Sequence, residues 1–114
     1  MILRVRRLPR AFDGFHAFAC WPFIVIRTDV ADEARIVLHE QVHYAEQRRC
    51  LLLPWLAMYF LSRRFRLKAE VRAYGVQVRA GVVSLEQAAR SLTRYRTGIS
   101  VDEAADILRR FLGR

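Results

Sequence analysis

The stretch His39-Glu40-Gln41-Val42-His43 decides how this chain of 114 residues is organised. On an α-helix, residues four positions apart lie on the same face, so the imidazoles of His39 and His43 can reach one point in space. Two neutral imidazoles are good Zn²⁺ ligands, and the carboxylate of Glu40 flanks the same point. The spacing therefore predicts a zinc site in which Glu40 takes a proton from water, as in metal-assisted peptide hydrolysis.

The residues on either side of the motif predict that it lies in the middle of a helix. Acidic residues cluster at the expected start, where Asp29 is the predicted N-cap. Neither Gly nor Pro occurs from Tyr44 to Arg49. Gln47 follows His43 by one turn, so it either hydrogen-bonds to a ligand or water or is an exposed helical amide.

Zinc needs at least a third protein ligand. Glu70 is the candidate that spacing favours, because it opens a second helical stretch 27 residues after His43. The alternative is a solvated glutamate near Arg66 and Arg72. Tyr74, one turn after Glu70, is expected near the site, where it could hydrogen-bond to a ligand or to substrate. The other possible ligands are His16, Cys20, Cys50, Glu86, Asp102, Glu103 and Asp106.

Several motifs together resemble the small bacterial and phage HExxH zinc-peptidase-like proteins of the gluzincin type. These motifs are Phe23–Arg27, His39–Gln47, Leu53-Pro54-Trp55, Tyr59 and Glu70–Tyr74. The resemblance covers roughly residues 14 to 80. It implies that His39, His43 and Glu70 are the metal ligands and that Glu40 is the base. In two places the sequence departs from the family pattern without touching a proposed ligand. Val71-Arg72 stands where Arg-Glu is more common, and Glu46 occupies a variable position.

Composition limits the size and the surroundings of the protein. A chain of this length forms one domain, and a hydrophobic content of 54% argues against disorder. The formal net charge of +9, from nineteen Arg and one Lys against eleven acidic residues, favours anionic surfaces, either nucleic acid or lipid headgroups. Cys20 and Cys50 are expected to be free thiols in a reducing cytosol. No apolar segment of signal-peptide length follows the basic start, so a cytoplasmic protein, peripheral at the membrane at most, is expected.

The pattern of elements predicts a mostly helical α+β fold with about four helices. Residues 1–28 are expected to be β-rich, with a short edge strand or arm at 1–10, an Asp13-Gly14 turn, and strands at 15–21 and 23–27. Residues 29–81 should hold the metal-site helices, the second at 67–80 and ended by Gly81. Residues 82–114 should form two helices, 85–94 and 101–112, which begin at the capping boxes of Ser84 and Ser100.

The run Leu51–Leu61 is apolar throughout, and several basic residues follow it. Its eleven residues are too few for a membrane span, which needs about 20, and Pro54 is expected to interrupt it. We interpret it as core packing over the site helices, because so small a domain needs apolar area. The alternative is a segment that dips into a membrane interface.

The sequence favours a zinc-dependent metallopeptidase-like hydrolase with a peptide or protein substrate. Phe23–Arg27 is the strand expected to pair with an extended substrate. One alternative is a basic nucleic-acid-binding module, although three carboxylates (Asp102, Glu103 and Asp106) would face the phosphates from its recognition helix. The other alternative is a catalytically inactive metal-binding scaffold.

Overall fold

The structure is a computed structural model that describes residues 1–12 and 15–113, so the predicted Asp13-Gly14 turn lies outside it. Within these residues the fold is α+β and mostly helical, as predicted, with three strands near the N-terminus and five helices. The chain divides into two compact units, Met1–Trp55 and Leu56–Arg114. None of the described helices is both long and apolar enough to cross a membrane.

A three-stranded sheet opens the first unit. Its strands are β1 (Ile2–Val5), β2 (Ala17–Cys20) and β3 (Phe23–Arg27). β3 lies in the centre, parallel to β1 and antiparallel to β2. The prediction of a strand at Phe23–Arg27 is confirmed. The hypothesis that this strand pairs with a substrate is wrong, because both of its edges already carry a neighbouring strand.

Helix α1 (Glu33–Cys50) packs against β2 and β3. Side chains alternate between the faces of these strands, which bury Ala17, Ala19, Ile24 and Ile26. Two of these residues are alanines, whose small side chains allow a helix to approach the sheet closely. The middle of this helix carries the HExxH motif, as the sequence predicts.

The predicted N-cap of α1 is wrong by one turn. Asp32 caps the helix, because its side chain accepts a hydrogen bond from the Arg35 backbone N–H at 3.2 Å. Asp29 instead accepts one from Arg27 Nε at 2.9 Å. This hydrogen bond holds the pKa of the Asp29 carboxyl below its ordinary value. Asp29 therefore pairs with the end of β3 and does not cap the helix.

Helix α2 (Leu52–Leu61) occupies most of the apolar run. Pro54 does not interrupt it, because the third residue of a helix needs no intrahelical N–H bond. Trp55 is buried, whereas Leu53, Met58, Phe60 and Leu61 are exposed. The interpretation of the run as core is therefore wrong for seven of its eleven residues, which are exposed.

The second unit contains three further helices after the end of α2. These are α3 (Arg63–Arg79), α4 (Leu85–Leu92), which continues into a 3-10 turn (Thr93–Tyr95), and α5 (Val101–Leu112). Helix α3 starts four residues before its predicted position, because Ser62 Oγ accepts a hydrogen bond from the Phe65 N–H. Both predicted capping boxes are confirmed, at Ser84 and Ser100.

The end of α3 has the predicted glycine stop. Gly81 adopts a left-handed φ of 75°. Its N–H bonds to the Val78 carbonyl, and the Val82 N–H bonds to the Gln77 carbonyl, which is the Schellman pattern. The chain can therefore leave α3 without orphaned carbonyls in the last turn.

The core of the second unit lies among α3, α4 and α5. Its buried members are Val71, Ala88, Ala89, Leu92, Ala104 and Leu108. Gly75 lets α3 approach α5, since a Cβ added there would lie 2.3 Å from Cε1 of Phe111. This close approach is a structural need for glycine that its position in the sequence did not reveal.

Candidate metal centre

One face of α1 buries polar side chains instead of apolar ones. His39, Glu40, His43 and Gln47 are each at most 7% exposed. Three of them lie four residues apart and so form one stripe along the helix. The ring centroids of His39 and His43 are 5.0 Å apart. Burying polar groups is costly unless they are bonded, so each of these side chains needs partners within the protein or in a ligand.

Gln47 is bonded at both ends of its amide to the chain at the outer edge of β2. Its Nε2 donates to the Ala19 carbonyl at 2.9 Å, and its Oε1 accepts from the Trp21 N–H at 2.7 Å. The side chain thus takes the place of a neighbouring strand on that edge. The possibility of an exposed helical amide is excluded. Its predicted role toward a ligand or substrate stays a prediction, but the amide clearly fixes α1 against the sheet.

A carboxylate and an aromatic ring lie beside His43. Glu46 Oε1 is 3.5 Å from His43 Nδ1, and the Trp55 ring centroid is 5.4 Å from the imidazole centroid. A carboxylate at Nδ1 orients an imidazole and favours Nε2 as the metal-binding nitrogen. The sequence analysis predicted no role for Glu46, although an acid three residues after His43 on the same helix was an available signal.

Glu70 lies in the second unit, on α3, and is only 1% exposed. The alternative of a solvated glutamate is therefore wrong. Its Oε2 accepts a hydrogen bond of 2.6 Å from the hydroxyl of Tyr59 on α2. A buried carboxylate needs such donors, since water is not there to solvate it. Tyr59 is among the motifs that resemble gluzincin-type proteins, but no sequence pattern linked it to Glu70.

Arg66 holds the end of α2 next to the start of α3. Its guanidinium donates to the carbonyls of Tyr59, at 2.8 Å, and of Tyr95, at 2.6 Å. It also donates to the carbonyls of Phe60 and Arg96. These bonds satisfy carbonyls in the last turn of α2 and so support the position of Tyr59.

Tyr74, predicted to act near the site, has a partner in the C-terminal half. Its hydroxyl lies 3.0 Å from that of Tyr95, and the two rings meet edge to face. The Tyr74 ring also packs against the apolar core of the second unit. The structure thus ties Tyr74 to Tyr95, and its role toward ligand or substrate stays a prediction.

Three of the buried side chains form a group that could hold a metal ion. His39, His43 and Glu70 each offer one ligand atom, and these atoms all lie within 4.8 Å of one another. Among residues 1–12 and 15–113, none of the competing ligands joins such a group. Of these competitors, His16, Cys50 and Asp106 are exposed, and Cys20 is half-buried.

Neither a family model, nor a curated protein, nor a solved structure matches this chain. The resemblance to gluzincin-type proteins therefore rests on the motifs alone. Within those motifs, the functional interpretation depends on the buried group of His39, His43 and Glu70.

Proposed function

We propose that this chain is a zinc-dependent, metallopeptidase-like hydrolase acting on a peptide or protein substrate. The observation that carries the proposal is the gathering of His39, His43 and Glu70 ligand atoms within 4.8 Å. All three side chains are at most 5% exposed. Imidazole nitrogens and carboxylate oxygens brought together in this way are the ligand types of protein zinc sites.

The residues fit zinc better than calcium or magnesium, and the HExxH spacing favours zinc over Fe(II), which the same ligand types can bind. Two imidazoles and a carboxylate are a zinc set, whereas calcium and magnesium take oxygen ligands almost throughout. Zinc–nitrogen and zinc–oxygen bonds are about 2 Å long, so ligand atoms this close need only small side-chain rotations to share one ion. Three protein ligands leave one position open, which separates a catalytic from a structural zinc site.

The protein side chains then divide the work of hydrolysis. Zinc, when bound, supplies a Lewis acid at the open position. Glu40, buried and adjacent in sequence to His39, accepts a proton from the attacking water and delivers it to the leaving amine. Tyr59 holds the carboxylate of Glu70 by a hydrogen bond, and the carboxylate of Glu46, 3.5 Å from His43 Nδ1, favours one orientation of that imidazole. Each of these roles is assigned to a side chain that is either buried or close to a named neighbour.

The competing interpretations have less support. Nucleic-acid binding by α5 is disfavoured because Asp102 and Glu103 lie in its first turn, where phosphates would approach. A metal-binding scaffold without activity would not need Glu40, yet Glu40 is buried beside the histidines on α1. We also propose that the protein acts in a reducing cytosol, on the basis of its two free cysteines.

The test compares Glu40→Gln with the wild-type chain, both loaded with zinc and offered a mixed peptide library. We expect wild-type cleavage that falls by about 10²–10⁴-fold in the variant, while the zinc content stays unchanged. Glu86→Gln is the matched control, because Glu86 is an exposed helical glutamate far along the chain. Cleavage that survives Glu40→Gln intact would refute the role of Glu40. Zinc-loaded wild-type protein that cleaves none of the peptides would favour the inactive scaffold.

A further inference from the structure

Helix α2 presents an apolar surface to solvent. It contains no charged residue, and its two faces differ in burial. Leu52, Trp55, Leu56 and Tyr59 turn inward, whereas positions 53, 54, 57, 58, 60 and 61 are exposed. Leu53 is 76% exposed and Leu61 is 87% exposed. We call the side chains of Leu53, Ala57, Met58, Phe60 and Leu61 the outer face of α2.

The chain around this outer face carries only positive charge. Residues 47–69 include six basic side chains and not one Asp or Glu, although the whole chain has eleven acids. Arg63 and Arg64, both exposed, stand in the first turn of α3, directly after the outer face. A helix N-terminus disfavours cations, so helix stability does not explain the two arginines.

We propose that the outer face of α2 docks onto an anionic membrane surface. The helix would lie in the plane of the interface, its apolar side chains among the upper acyl chains and Arg63 and Arg64 at the lipid phosphates. Ten helical residues span about 15 Å, half of a bilayer core, so the helix rests on the membrane and does not cross it. This proposal stands apart from the metal site and does not need hydrolysis.

Charge decides against a second copy of this chain as the occupant. A two-fold contact through the outer face would bring the arginines of both copies together without any acid from residues 47–69 to offset them. A nucleic acid would satisfy the arginines but would leave Leu53 and Leu61 in water. Anionic lipid is the partner that complements both the charge and the apolar side chains.

The experiment measures co-flotation of the full chain with vesicles. One set is phosphatidylcholine alone, and the other is a three-to-one mixture of phosphatidylcholine and phosphatidylglycerol. We expect binding to the mixed vesicles only. Leu53→Ser with Leu61→Ser should weaken it at least tenfold. Arg63→Gln with Arg64→Gln should weaken it about fivefold for each arginine.

Matched controls come from elsewhere on the surface. Val82→Ser with Val101→Ser removes exposed apolar side chains, and Arg94→Gln with Arg110→Gln removes exposed charge. Both should leave vesicle binding within twofold of wild type. Circular dichroism verifies that every variant folds. If the variant with both Leu53→Ser and Leu61→Ser does not fold, Leu61→Ser alone replaces it.

Three results would overturn the proposal. One is no flotation with the mixed vesicles. A second is flotation that depends on the arginines but not on Leu53 and Leu61, which would be adsorption by charge alone. The third is a wild-type dimer in sedimentation that Leu53→Ser with Leu61→Ser converts to a monomer, which would make a second copy the occupant.

Discussion

Helices α1 and α2 depart from the ordinary distribution of side chains in opposite ways. Along α1, polar side chains at 39, 40, 43 and 47 are buried. Along α2, leucine, methionine and phenylalanine side chains are exposed while Trp55 is its one buried residue. α1 therefore hides polar groups that water would solvate, and α2 leaves apolar groups in water.

This difference separates what stabilises the fold from what we assign to function. Buried polar groups cost stability unless each has a partner, and exposed leucines contribute little to it. Natural sequences keep such local departures chiefly where a ligand or surface compensates for them. The α1 stripe has the composition of a metal site, and the α2 outer face has the composition of a lipid-facing surface.

The largest expected change in stability comes from Gln47, the member of the α1 stripe whose amide bonds α1 to the edge of the sheet. Gln47→Leu keeps the volume but leaves the Ala19 carbonyl and the Trp21 N–H without the amide. We expect the free energy of unfolding to fall by about 2–4 kcal/mol, measured by urea denaturation. The matched control is Gln41→Ala on the exposed side of the same helix, with a change within about 0.5 kcal/mol. Equal effects of the two changes would contradict the account of the stripe.

A smaller effect is expected where the inward side of α2 supports the carboxylate of α3. Tyr59→Phe removes only the hydroxyl that donates to Glu70. Loss of such a supporting bond should lower zinc affinity by about 10–100-fold, measured by competition with a chelating dye. Leu61→Ala, on the exposed outer face of the same helix, should leave the affinity unchanged. An unchanged affinity in Tyr59→Phe would mean that Glu70 needs no orientation from α2.

The smallest effect should come from the exposed polar contacts of α1. Arg4 Nε donates to Glu33 Oε2 at 3.2 Å, and this hydrogen bond lowers the pKa of Glu33. Because the folded-state pKa lies below the unfolded one, the pair stabilises above the unfolded pKa. That contribution is lost as the pH falls through the folded pKa. Glu33→Gln should therefore slightly flatten the acid limb of the stability–pH curve, and added salt should erase the difference. If Glu33→Gln changes the free energy of unfolding by a large amount, or by an amount that salt does not reduce, this surface pair contributes more to stability than the buried stripe.

Sequence patterns predicted the elements whose signals are local. The HExxH helix, the strand Phe23–Arg27 and the helix Val101–Leu112 follow from periodicity and capping residues, and the structure has all three. The buried, close-set ligand atoms of His39, His43 and Glu70 also match the spacing argument.

Other features depend on contacts that no local pattern encodes. Gln47 bonds to Trp21 and Ala19, which lie 26 and 28 positions before it in the sequence. Tyr59 and Glu70 are 11 positions apart. The exposure of Leu53 and Leu61 could not be inferred from hydrophobicity, which predicted the opposite. To predict these features, one would need to know which helices and strands are neighbours. The composition of α2 did not indicate which of its sides is exposed.

The metal content of the purified protein tests the central claim most directly. Elemental analysis after chelator-free purification should find about one zinc per chain in the wild type and in Gln41→Ala. His43→Ala and Glu70→Ala should each lose it, while circular dichroism shows that both variants remain folded. A wild-type chain that takes up no zinc even when the ion is supplied would contradict the account. So would folded His43→Ala protein that keeps its full zinc content.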